Sequence, residues 1–125
     1  MIVQDIYLPE YRWHCRIFYS VNGYWVDDIL HDLREIGCAG RKYRVASRNL
    51  NSGQLNTGLT YASPTERETL MVAATSTTPA ELFNSVVHEI DHATMFTFPL
   101  IGVTPGTEEA AYFKGGLARD IFPMI

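Results

Sequence analysis

The stretch Val86-Val87-His88-Glu89-Ile90-Asp91-His92 sets two histidines and a glutamate at HExxH spacing inside an apolar segment, and no other feature narrows the possible fold as far. Residues four apart share a helix face, so both imidazoles can grip one Zn²⁺ while Glu89 reaches the water that the metal would activate. The motif therefore needs a helix. Thr78-Pro79-Ala80-Glu81 predicts where it starts, with Thr78 as the cap, Pro79 as the first helical residue and Glu81 closing a capping box. Leu82, Phe83, Val86, Val87, Ile90 and Ala93 then form an apolar stripe, with Ser85, His88 and His92 to one side of it. The competing reading is a solvated helix edge on which Glu89 and Asp91 are ordinary surface charges. Only four histidines occur in the chain and two of them stand here, which favours the metal.

At 125 residues the chain is expected to form one domain, spanning 1–125, with one site. Arg16 to Val21 reads as the first strand, closed by Asn22-Gly23. Tyr24 to Ile36 reads as an amphipathic helix stopped by Gly37. Tyr43 to Ser47 reads as a second strand, and Asn49 to Gly58 as a polar loop. Leu59-Thr60-Tyr61 and Thr69 to Ala74 read as a hairpin around Ser63 to Arg67, and a last helix is expected from about Glu108 to Phe122. The sum is an α+β fold with a small, largely antiparallel sheet.

Two imidazoles do not complete a catalytic zinc site, which takes three protein ligands and an open position. The HExxHxxGxxH arrangement is absent, because Met95 and Phe98 stand where its glycine and last histidine would be. The downstream carboxylates are Glu108, Glu109 and Asp120. Glu108, Ala111, Gly115 and Ala118 recur at helical spacing and form a small-residue face that could approach the motif helix closely. Glu108 is accordingly the expected third ligand, with Glu109 as its rival and a helix-dipole role as the plain alternative for both. Tyr112, one turn further on, is the candidate oxyanion donor, with His14 and His31 as lesser candidates.

HEIDH at 88–92 followed by Glu108-Glu109-Ala110-Ala111-Tyr112 resembles the gluzincins, in which an HExxH helix precedes a helix carrying Glu-x-x-Ala or Glu-x-x-Ser. The resemblance implies a zincin-like domain, Zn²⁺ held by His88, His92 and Glu108, and catalysis by Glu89. In size and element order the chain is similar to the compact minigluzincins and to small zincin-like proteins of bacteria and phages. The family pattern ordinarily ends in Asp where Tyr112 stands, leaving carboxylate support for a liganding histidine unassigned. The family also implies an extended peptide or protein substrate on an edge strand, for which Thr69 to Ala74 is the candidate.

The implied reaction is hydrolysis of a peptide or amide bond. Its alternatives are a zinc-stabilised module that binds without cleaving and a metal-free interaction or particle-associated protein. A net charge of −4 offers no broad basic surface for nucleic acid. No apolar run approaches a membrane span and no leader-like segment is evident, so a cytoplasmic location is expected. Cys15 and Cys38 lack ligand spacing and read as buried thiols.

Overall fold

The computed structural model describes residues 2–19, 21, 25–52, 58–74 and 78–124. The expected turn at Asn22-Gly23, the helix start at Tyr24 and residues 53–57 of the polar loop lie outside the described residues.

In chain order the elements are β1 (Ile2–Leu8), β2 (Trp13–Tyr19), α1 (Val26–Glu35), α2 (Gly40–Asn51), β3 (Leu59–Ser63), β4 (Glu68–Val72), α3 (Pro79–Ile101) and α4 (Glu108–Ile121), followed by a 3₁₀ turn over Phe122–Met124. The four strands form one sheet in the order β1-β2-β4-β3. β1 pairs antiparallel with β2, and β3 with β4, but β2 and β4 run parallel at the centre. The fold is thus α+β, and its sheet is mixed rather than largely antiparallel. A parallel pair needs a long crossover, and the helices α1 and α2 lie on that path.

Alternation along the strands divides the core between the two faces of the sheet. Trp13, Cys15, Ile17 and Met71 pack with Val86, Ile90 and Phe98 of α3 and Phe113 and Leu117 of α4. Phe18, Leu70 and Val72 pack on the other face with Ile29 and Leu33 of α1 and Ala46 and Leu50 of α2. Both cysteines are buried and free.

Three elements differ from the sequence expectation. Tyr43 to Ser47 belongs to α2, whose half-buried Tyr43 and buried Ala46 and Leu50 recur at helical spacing. β-formers at Tyr43 and Val45 are outweighed there by packing on one stripe. β1 was not expected at all, and with Ile6 as its only fully buried residue it is an edge strand with a weak apolar signal. The first expected strand, 16–21, is shifted into β2 at 13–19.

α3 starts as expected. The Thr78 side chain accepts from the Glu81 N–H at 3.1 Å, and Pro79 takes the first turn. The helix passes through Pro99 and ends at Gly102, whose φ of 76° supplies the left-handed cap. Its buried positions are Val86, Glu89, Ile90, Ala93, Thr94, Thr97 and Phe98, whereas Phe83 and Val87 are exposed. The buried stripe is rotated from the expected one, and Glu89 belongs to it.

Candidate metal and catalytic site

His88, Glu89 and His92 open into one cavity of about 770 Å³ whose other walls include Asn49 of α2, Gly58 and Thr60 at the start of β3, and Phe96 of α3. The His88 and His92 Nε2 atoms stand 3.0 Å apart. That is a hydrogen-bond separation, and two imidazole nitrogens bound to one tetrahedral zinc ion, each at about 2.0–2.1 Å, are about 3.4 Å apart, so the pair would open by about 0.4 Å to share an ion. The Phe96 ring stacks on His92 with centroids 5.7 Å apart and holds its orientation. The buried His92 Nδ1 has no hydrogen-bond partner among the described residues.

Glu89 is only 5% exposed. Thr60 Oγ1 donates to its Oε1 at 3.0 Å, tying the carboxylate of α3 to the edge strand β3. Burial pushes the Glu89 carboxyl above its ordinary value, opposed by the Thr60 hydrogen bond and the nearby His88 and His92. A Cβ added to Gly58 would lie 2.2 Å from Glu89 Oε2 and 2.7 Å from its Cδ. Glycine at 58 is therefore what lets the carboxylate sit against the backbone.

Glu108 and Tyr112 are not brought to this cavity. α3 continues for nine residues beyond His92, a rise of about 14 Å, before the chain turns. Phe98 of α3 meets Phe113 of α4 with ring centroids 5.1 Å apart, and Lys114 approaches Asp91 at 3.8 Å. The first turn of α4, with Glu108 in it, accordingly lies beyond Phe98, at the end of α3 remote from the histidines. Tyr112 is 77% exposed, and the neighbouring Glu109 accepts from the Tyr11 hydroxyl at 3.0 Å. Among the described residues, no group of three or more His, Cys, Asp or Glu side chains is gathered as a metal site.

The remaining histidines lie elsewhere. His14 sits between Asp5 at 2.9 Å and Glu68 at 2.5 Å. It alternates with Trp13 and Cys15, so it faces the α1 side of the sheet, away from α3. His31 faces Glu35 at 3.7 Å on an exposed helix surface.

Sequence reasoning missed Thr60, Gly58 and Asn49. Thr60 was legible in principle, because strand alternation sets it on the face opposite Leu59 and Tyr61. The other two depend on tertiary approach. The strand beside the site is also different: β4 is central, and β3 is the edge.

No family model, curated protein or solved structure matches this chain. Among the described residues no helix is long and apolar enough to cross a membrane.

Proposed function

We propose that this chain is a zincin-like, zinc-dependent hydrolase of peptide or amide bonds. The observation that carries the reading is the convergence of His88 Nε2, His92 Nε2 and the buried Glu89 carboxyl on one cavity beside the outer strand of the sheet. The order edge strand, central strand, HExxH helix supports the zincin-like part of it.

His88 and His92 would supply two of the three protein ligands that a catalytic zinc takes, and no third ionisable ligand is gathered beside them among the described residues. When bound, zinc acidifies water and polarises a carbonyl. Glu89, fixed by Thr60, is placed to accept the proton that water loses as its oxygen bonds to the scissile carbon. It returns that proton to the amine nitrogen as the carbon–nitrogen bond breaks. The raised carboxyl suits both transfers.

A second reading, a binding module that does not cleave, draws on the absence of a third ionisable ligand beside the histidine pair among the described residues. Zinc content and turnover on a peptide library separate the two. The native protein is expected to hold one zinc and to cleave, His88→Ala to lose the metal, and Glu89→Gln to keep it while turnover falls by about 10²-fold or more. Equal turnover in native protein and Glu89→Gln would reject hydrolysis by this site.

A further inference from the structure

We infer that the outer edge of β3 takes up an extended acidic peptide, with its carboxylate side chains against Arg41 and Lys42 and its acidic residues three to four positions N-terminal to the bond at the histidines. The inference deepens the proposed function and rests on it only for the position of the cleaved bond. A second cavity, of about 670 Å³, continues from the first along β3 between α2 and α3. Leu59, Thr60, Val45 and Phe96 line both, so they form one groove. Its floor is the outer edge of the last strand in the sheet, which no other strand pairs among the described residues. Its walls gather exposed apolar side chains: Met95 is 55% and Phe96 43% exposed, with Val45 and Leu100 beside them.

Charge selects the occupant. α2 carries Arg41, Lys42, Arg44 and Arg48 and no acidic residue, in a chain of net charge −4. None of the four has an ion-pair partner among the described residues. Arg41, Lys42 and Val45 line the apolar groove, and Asn49, on the same stripe, reaches the histidine cavity. Arg44 and Arg48 line neither. Arg41, and Lys42 whose ammonium lies 5.8 Å over the Tyr61 ring, are cations without a carboxylate partner among the described residues, and beside an apolar floor they favour a ligand that brings both carboxylates and apolar side chains, while the strand edge favours a peptide over a nucleic acid.

Register follows from helix and strand rise. Arg41 and Asn49 are eight residues apart on α2, about 12 Å along its axis, which an extended peptide covers in about three to four residues. Gly58, Leu59 and Thr60 line the histidine cavity, whereas Tyr61, Ala62 and Pro64 line only the groove. β3 therefore runs from the site toward the basic end. A peptide pairing antiparallel, the slightly more stable arrangement, enters with its N-terminal part against Arg41 and Lys42.

Binding is measured on Glu89→Gln protein by anisotropy of labelled nonapeptide pools that carry Asp, Asn or Lys at two adjacent positions. The Asp pool is expected to bind about five- to tenfold more tightly than the Asn pool. Arg41→Glu/Lys42→Glu should abolish or reverse that preference, while Arg44→Glu/Arg48→Glu, with the same change in net charge, should retain it. Equal binding of the Asp and Asn pools, an equal effect of the two double variants, or displacement by a single-stranded oligonucleotide more readily than by the Asn pool would each overturn the inference. Native protein with zinc then locates the cut. Selective binding without any cleavage sinks the hydrolase reading and leaves the acidic groove standing, whereas cleavage indifferent to acidic residues does the reverse.

Discussion

The Glu89 carboxylate depends on what the neighbouring strand leaves out. Gly58 has no side chain where a methyl group would overlap Glu89 Oε2, so the carboxylate can lie against the start of β3 and accept from Thr60. Gly58→Ala must move Glu89 first, because its added methyl would lie 2.2 Å from Glu89 Oε2 and 3.1 Å from the Val72 carbonyl oxygen. Turnover is expected to fall about tenfold or more while zinc stoichiometry is retained, since a misplaced general base forfeits its contribution to the transition state. Loss of zinc in that variant would mean that the substitution had disturbed the histidines themselves.

At the scale of elements, helix length decides the ligand set. The small-residue face of α4 suggested an approach that would carry Glu108 to the histidines, but α3 runs on through Pro99 to Gly102 and α4 turns back with its bulky face, Phe113 and Leu117, in the core. Thr107 caps α4 by accepting from the Ala110 N–H at 3.2 Å, and Glu108 and Glu109 occupy the first turn that favours acidic residues. Glu108→Gln is expected to leave zinc content unchanged by elemental analysis. Metal loss in Glu108→Gln, with an unaltered thermal midpoint, would restore Glu108 as a ligand.

At the scale of the whole molecule, polar groups tie the layers together on both sheet faces. Trp13 Nε1 donates to Thr69 Oγ1 at 2.8 Å, and Thr69 Oγ1 meets Thr97 Oγ1 of α3 at 2.7 Å, all within the core. Thr69→Val keeps the shape but strands the indole N–H, so chemical denaturation should show a loss of about 1–3 kcal/mol. On the opposite face, Arg16 bridges Asp5 of β1 at 2.8 Å and Asp32 of α1 at 3.2 Å, and His14 joins Asp5 to Glu68. Burial alone would raise the Asp5 carboxyl, but the hydrogen bond and charge of Arg16, aided by His14, hold it below its ordinary value. A carboxyl lowered by folding stabilises the native state above its unfolded pKa, about 3.9, and loses that contribution as pH falls through the folded one. Asp5→Asn should therefore lower stability at pH 6 by no more than about 1 kcal/mol, this half-exposed pair being solvent-screened, with the difference closing below about pH 4. A gap that stays constant from pH 6 to pH 2 would show that Asp5 acts by packing instead.

Local chemistry was enough for the sequence to specify the capped helix that carries His88, Glu89 and His92, the β3–β4 hairpin and the span of α4. Caps, turn residues and period-3.6 patterning act over a few residues, so the chain spells them out directly. β1 and α2 were not legible in the same way, because one is an edge strand with a single buried anchor and the other mixes β-formers into a helical stripe completed by packing on α1 and the sheet. Only tertiary structure placed β3 at the edge, set Gly58 and Thr60 against Glu89 and kept Glu108 away from the histidines. Those outcomes depend on strand order and on how far α3 extends before the chain turns, and both are fixed by burial summed over both faces of the sheet rather than by any short run of residues.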